Sequence, residues 1–391
     1  MEINQIAKDI HQNVIKWRRD LHQVPEIGFA LEQTSQYVRQ RLDELGISYH
    51  VAAETGVVGL IEGESAGPTL ALRADMDALP IVEETELSFA STNGNMHACG
   101  HDAHMAMLLG TAKMLNELRP QLKGNVKLLF QPGEEGHGGA EKMIADGCLE
   151  NPRVDAAVGL HIGQIFPEVG NGQIGICEGP ILAAATKFAV NVLGKSTHGA
   201  LPHLGVDAIT TASEIILALQ KIVSREVDPL SPAVFTVGKI EGGESFNIVT
   251  PKVNFIGDFR SLDDSLRQFI SRRLVELCHS IAEANRAEAE VEFLGGYPPT
   301  VNDSGIVPRV IEAAETVIGA DNIIEVKRPN MGTEDMSLYL QKVPGAFFVL
   351  STGNPEKGIT YPHHNSRFDL DEDVLWIGPA IFTRFALDYL G

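Results

Sequence analysis

Basic residues are scarce in this chain: 31 lysines and arginines stand against 52 aspartates and glutamates, a formal net charge of −21 over 391 residues. Nucleic-acid binders need a basic surface to displace counterions, and anionic membranes attract basic clusters, so this balance argues against both. Cysteine is also scarce: four residues without a CxxC pair do not build a disulfide framework. No run approaches the roughly 20 apolar residues of a bilayer span. The opening MEINQIAKDIHQNV lacks the basic and then apolar order of a secretory signal. HExxH and PCxxC are absent, which removes the metalloprotease helix and the zinc deaminase signature. Gly194-Lys-Ser-Thr197 looks like the end of a phosphate-binding loop, but Ala189 stands where its first glycine belongs. What remains is 44% apolar and 21% charged, the composition of a soluble, acidic and, on this reading, cytoplasmic protein.

Hydrophobic periodicity predicts helix over residues 2–45, interrupted at Pro25, with a second helix from about Glu32 to Leu45 that Gly46 stops. Strands are then expected at Thr69–Arg73, Asn125–Phe130 and Asp155–Leu160, alternating with helices at His101–Leu118 and about Ala140–Asp146. That alternation predicts an α/β sheet covered on both faces. Between about Thr186 and Phe293 the order becomes β-α-β-β-α-β: strands at Lys187–Leu193, Ala233–Ile240, Lys252–Phe259 and Ala289–Phe293, helices at Asp207–Arg225 and Ser265–Arg286. This is the split βαβ order of a ferredoxin-like domain. Asp303–Ile318 and Val374–Leu390 read as helices around a buried strand, Ala346–Leu350. The expectation is an α/β domain over 1–183 and 296–391, interrupted by an α+β insert over 184–295.

Chemistry concentrates in five segments: Arg73-Ala-Asp75-Met-Asp77, His97-Ala-Cys99-Gly-His101-Asp-Ala-His104, Gln131-Pro-Gly-Glu134-Glu135, Leu160-His161 and His363-His364-Asn365. Three of them begin where an apolar strand ends, and ligands of open α/β sheets bind outside the carboxyl ends of the strands. Thiol, imidazoles and carboxylates delivered to one rim point to a transition metal. Gly100 lets the backbone bend so that Cys99 and His101 face one centre. Of the adjacent Glu134 and Glu135, one can hold metal while the other takes a proton from water. His161 alone reads equally as a buried hydrogen-bonded imidazole, and His104 either faces the site or orients a ligand from behind it. Cys148, Cys177 and Cys278 read as small hydrophobes, and His11, His22, His50 and His279 receive no function.

At these residues the chain resembles the M20 metallopeptidases, in the subgroup of N-acyl-amino-acid amidohydrolases with the hippurate and auxin-conjugate hydrolases. The matching stretches are Trp17-Arg-Arg-Asp-Leu-His22, Leu72-Arg-Ala-Asp-Met-Asp-Ala-Leu-Pro80, His97–His104, Phe130-Gln-Pro-Gly-Glu-Glu135, Gly159-Leu-His161, Gly194-Lys-Ser-Thr-His-Gly199, Asn330-Met-Gly-Thr-Glu-Asp335 and His364-Asn365. The resemblance implies a catalytic α/β domain with an inserted lid. It also implies one or two divalent ions (Zn, Mn, Co or Ni) held by Cys99, His101, Glu135, His161 and His364, with His363 as the competitor for the last position. Glu134 corresponds to the general base, Asp77 to the acidic residue that orients a ligand, and His198 to the imidazole that polarises the scissile carbonyl. Asn247 and Arg260 fall where lid residues hold the substrate carboxylate. The implied reaction is hydrolysis of N-acyl-amino acids, with a carboxypeptidase or dipeptidase of the same family as the alternative. A non-catalytic binding protein would be expected to have lost part of the donor set. The implied assembly is a homodimer or higher oligomer, with His198 acting on its own subunit or on its partner's.

Overall fold

The computed structural model describes residues 3–391; Glu2, where the expected first helix begins, lies outside them. The described residues divide into two compact units, one made of residues 3–181, 300–330 and 335–391, the other of residues 182–299 and 331–334.

The first unit is built on an eight-stranded mixed sheet. From edge to edge the strands are Ser48–Ala52, Gly56–Glu62, Lys123–Gln131, Ser65–Asp75, Ala156–Ile162, Gly345–Leu350, Ile174–Ile176 and Ile323–Glu325. The four central strands run parallel, with Asp75 opposite Gln131, Arg73 opposite Gly159 and His161 opposite Val349. Every residue of Ala156–Ile162 and Gly345–Leu350 is buried. Side chains alternate between the faces of a strand, so both faces of the sheet centre are covered, as an apolar parallel core requires. The helix His101–Glu117 is buried along almost its whole length and shares a core with helices His11–His22, Glu32–Leu45 and Ile377–Leu390. Glu32–Leu45 ends where expected, because Gly46 adopts φ +66° and its N–H bonds back to the Asp43 carbonyl.

Several expectations shift. The antiparallel hairpin Ser48–Ala52 with Gly56–Glu62 was not read from the sequence; its outer strand is mostly exposed and carries no apolar run. The helix expected from Asp303 starts at Val307, because Asp303 Oδ1 accepts the Gly305 and Ile306 N–H groups and turns the chain first. The last helix starts at Ile377; Glu372–Val374 form a separate turn under Asp371.

The second unit is a four-stranded antiparallel sheet in the order Ala233–Gly242, Lys252–Ser261, Ala184–Leu193, Glu288–Tyr297. With helices Ala208–Lys221 and Asp264–Ala284 this is the ferredoxin-like arrangement. Asp207 and Asp263 cap the two helices by accepting backbone N–H groups, and Phe188, Phe255, Phe259, Ile215, Leu219, Ile270 and Leu274 form the core. The first helix stops at Lys221, short of the expected Arg225, and passes into a π-helical turn over Ile222–Glu226.

Candidate metal centre

Three parallel strands end side by side at Asp75, Gln131 and Ile162; the first two lead into segments that carry donors, and the third carries His161 as its last residue but one. After the first, the backbone runs to Asp77 and later to the turn His97–Gly100, where Gly100 adopts φ +86° and opens the helix at His101. A side chain at Gly100 would meet Ile162 Cδ1 at 2.4 Å, so only glycine brings Cys99 and His101 round to one side. After the second strand, Asp77 holds the turn: its Oδ1 accepts the Glu134 N–H at 2.9 Å and its Oδ2 the Glu135 N–H at 3.1 Å. Both glutamates are thereby aimed by one carboxylate.

Cys99, His101 and His161 offer donor atoms within 4.8 Å of one another, as do Cys99, Glu135 and His364, and His101, Glu134 and Glu135. Cys99 belongs to two of these sets, with its Sγ 3.5 Å from His161 Nε2. The His101 Nδ1–H donates to the Asp77 carbonyl at 2.8 Å, leaving Nε2 for a ligand; that atom is buried and has no hydrogen-bond partner. The His161 Nδ1–H likewise donates to the Ile162 carbonyl at 2.7 Å and turns Nε2 toward Cys99. An orphaned buried imidazole nitrogen beside a thiol, a second imidazole and carboxylates fits a divalent cation. The mixed S, N and O donors suit a transition metal.

The electrostatics agree. Burial opposes charge on the His101 ring, yet Asp75, Asp77 and Glu135 outweigh it and push its pKa up to about 10. The pocket around Nε2 therefore favours a positive charge. Burial, with His104 and His363 nearby, holds His161 well below the usual imidazole range, so it remains a neutral donor. Burial would raise Glu135, but His364, His101 and Cys99 together lower it and keep it ionised.

The adjacent histidines 363 and 364 separate clearly. His363 Nε2 donates to the Ile162 carbonyl at 2.9 Å, and its ring packs over Gly163, against Phe368 and edge-on against His161 with centroids 5.1 Å apart, so it lines the donors with its one hydrogen-bonded nitrogen spent on the backbone. His364 has φ +63°, is tied by its N–H to the Ala98 carbonyl at 2.8 Å, and places Nε2 3.2 Å from Glu135 Oε1. His198 and Asn247 lie in the second unit, exposed and adjacent: Thr197–His198 pairs with Ile248–Val249, and the Gly199 N–H donates to the Asn247 carbonyl. His198 Nδ1 accepts the Ala200 N–H at 3.0 Å, so its proton sits on Nε2, ready to be donated. Arg260 is bound to Asp258 Oδ2 at 2.7 Å and to the Met331 carbonyl at 2.7 Å.

Sequence reasoning missed the layer beneath the donors. Arg73 is buried and bonds Gln131 Oε1 at 3.0 Å, Asp75 Oδ2 at 2.8 Å and Asp335 Oδ1 at 2.7 Å. The available signal was an arginine inside an apolar strand, since a buried charge must find partners. His22, given no function above, is buried, with Nδ1 2.8 Å from Asp102 Oδ2, which also accepts from Arg18 Nε at 3.0 Å. Gly63-Glu-Ser65-Ala-Gly67 has the spacing of a nucleophilic serine elbow. Ser65, however, begins a strand instead of ending one before a helix, so it is no nucleophile. An open cavity of about 690 Å³, lined by Phe29, Arg39, Glu54 and His137 among others, contains none of the donors.

Residues 71–388 match the sequence profile of peptidase family M20/M25/M40. The chain belongs to this family. It is 40% identical over 379 residues to the IAA-amino acid hydrolase ILR1-like 4 of Arabidopsis thaliana, covering 95% of this chain and 84% of that protein. It is 41% identical over 368 residues to the N-acetyl-L-cysteine deacetylase of Bacillus subtilis, covering 94% and 85%. Identity to thermostable carboxypeptidase 1 of Saccharolobus solfataricus is 38% over 389 residues, covering 98% and 97%. Among solved structures, the YXEP protein of Bacillus subtilis, described as a dinuclear metal-binding peptidase of family M20, superposes with a TM-score of 0.84. That pair is 34% identical and covers 98% of this chain and 99% of the other. This M20 chain contains, among its described residues, no helix long and apolar enough to cross a membrane.

Proposed function

We propose that this M20 enzyme hydrolyses the amide bond of N-acyl-amino acids, giving a carboxylate and a free amino acid. The observation that carries the reading is the pair of donor sets sharing Cys99, with Glu134 beside them on the turn that Asp77 holds. Cys99, His101, Glu135, His161 and His364 would hold one or two divalent ions, two being favoured because Cys99 belongs to both sets; Zn²⁺, Mn²⁺, Co²⁺ and Ni²⁺ suit these donors. A cation bound there supplies Lewis-acid chemistry, polarising the scissile carbonyl and acidifying water. The chain's own residues do the rest. Glu134 takes a proton from the attacking water and returns it to the leaving nitrogen, so the amide and one water become acid and amine. Asp77 keeps Glu134 and Glu135 in fixed register through their backbone N–H groups. His198 supplies a donor to the developing oxyanion, a role worth about 3 kcal/mol for one such group. Asn247 and Arg260 bind the substrate carboxylate, Arg260 adding local positive charge on a protein of net charge −21.

The relatives named N-acetyl-L-cysteine deacetylase and IAA-amino acid hydrolase support an N-acyl-amino acid substrate, with an acetyl, benzoyl or similar acyl group. The carboxypeptidase relative favours a second reading, in which the acyl side is a peptide. Initial rates on acetyl- and benzoyl-amino acids beside dipeptides and blocked peptides decide between them. Turnover confined to peptides overturns the first reading, and no turnover on any amide overturns both.

The assembly is a homodimer through the second unit, whose edge strand Ala233–Gly242 is exposed and presents Val234 and Ile240. Mixing inactive Glu134→Ala and His198→Ala subunits tests whether His198 serves the partner: activity returns if it does, and does not if it acts within its own chain.

A further inference from the structure

His104 occupies a place in the cluster that the reaction above does not use. It is buried, and both of its ring nitrogens are engaged: Nε2 accepts the Ile162 N–H at 3.0 Å, and Nδ1 lies 2.5 Å from Asp75 Oδ1. A backbone N–H cannot accept, so the proton of the neutral ring must sit on Nδ1 and be donated to Asp75. With both nitrogens committed, His104 has no atom left for a metal. Its ring nevertheless touches two of the donors, stacking on His101 with centroids 5.4 Å apart and meeting His161 edge-on at 4.6 Å. The Ile162 backbone that it holds is the same one whose carbonyl accepts from His161 Nδ1 and His363 Nε2. At its other end, Asp75 is fixed by Arg73, which also grips Gln131 and Asp335. A buried ion pair adds little to stability by itself, so such a base is better explained by the geometry it enforces.

We propose that His104 is a positioning residue, a neutral imidazole strut between Asp75 and the Ile162 amide that sets the angles at which His161 and His101 present Nε2 to a divalent cation. The proposal rests on the reading of the cluster as a metal centre. His104→Phe fills the space and removes both bonds; His104→Asn keeps a donor where Nδ1 was, and His104→Gln keeps an acceptor near Nε2.

The test is titration of the metal-free wild type and the three variants with Co²⁺. The d–d bands report coordination geometry, and the thiolate-to-cobalt band reports Cys99. Removing an outer hydrogen-bond partner of a metal ligand costs about 10–100-fold in metal affinity. His104 stands one bond further out, so His104→Phe should lose up to that much and show altered d–d bands, with kcat falling more than KM changes, while Asn or Gln recovers part of the affinity. Wild-type affinity and spectrum in a folded His104→Phe protein overturn the proposal. Should that variant not fold, wild-type values in both Asn and Gln variants overturn it equally. A wild type that binds no Co²⁺ sinks the metal centre and the strut together, whereas indistinguishable variants of a Co²⁺-binding wild type sink the strut alone.

Discussion

Replacing Asp77 by asparagine isolates one atom of the site. The Asp77 carboxylate is buried and spends one oxygen on the Glu134 N–H at 2.9 Å and the other on the Glu135 N–H at 3.1 Å. Asparagine keeps one of these acceptors and turns an NH₂ group toward the other N–H. One hydrogen bond to a charged acceptor is lost and one N–H is stranded, a cost of roughly 1.5–3 kcal/mol. If the glutamate turn bears that cost only when it must hold its metal-ready form, metal affinity falls roughly 10–150-fold. His101 keeps its Nδ1–H bond to the Asp77 backbone carbonyl but loses the charge of the Asp77 carboxylate 3.7 Å from that nitrogen, which lowers its pKa. Asp77→Ala strands both N–H groups and should cost more. The assay is metal competition with a chromophoric chelator, with thermal unfolding of the metal-free proteins as the folding control. An asparagine variant that binds metal and turns over like wild type would refute the claim that this carboxylate orders the two glutamates.

Glu134→Gln should lower kcat by roughly 10²–10⁴ with metal retained, while Glu135→Gln should lose metal first; elemental analysis beside kinetics shows a reversal if the roles are exchanged. Gly100→Ala places a methyl 2.4 Å from Ile162 Cδ1 at φ +86°, so it should destabilise the metal-free protein by about 2–4 kcal/mol in urea unfolding and weaken metal binding; an unchanged midpoint contradicts it. Burial of Asp371 would raise its pKa, but Lys357, Asn354, the Asp373 N–H and Asn171 together lower it. Its contribution is therefore whole above the unfolded carboxylate value near 3.9 and is lost as pH falls through the folded pKa. The stability gap between wild type and Asp371→Asn should close on acidification below about pH 4, and a gap independent of pH contradicts this.

What could be read from the sequence divides along a physical line. Helix Glu32–Leu45 was legible because its stop is local: Gly46 takes the left-handed conformation that ends a helix. The β-α-β-β-α-β order of the second unit was legible because its two central strands alternate a buried with a less buried face, visible in Ala184–Leu193 and Lys252–Ser261. Glu134, Glu135 and His161 stood out because they sit at the ends of apolar strands, and Cys99 because His97, His101 and His104 flank it. The layer under them was not legible, since its bonds join residues far apart in the chain: Arg73 reaches Asp335 across 262 positions and His104 reaches Ile162 across 58. No local pattern distinguishes His363 from His364 either; the difference lies in a positive φ and a bond to the Ala98 carbonyl. Of the edge hairpin, the outer strand Ser48–Ala52 escaped because a mostly exposed strand of mixed composition carries no periodic signal, whereas the apolar, buried Gly56–Glu62 did carry one and was overlooked.

The central claim is that amide hydrolysis depends on a cation held by Cys99, His101, Glu135, His161 and His364. It is tested most directly by assaying metal-free protein on an N-acyl-amino acid while Zn²⁺, Mn²⁺, Co²⁺ or Ni²⁺ is added back under metal quantitation. Turnover should be absent at first and rise with bound metal to saturation at one or two equivalents, and a Cys99→Ala, His101→Ala double variant should stay inactive. Full turnover by protein shown to be free of metal, or by that double variant, would contradict the account.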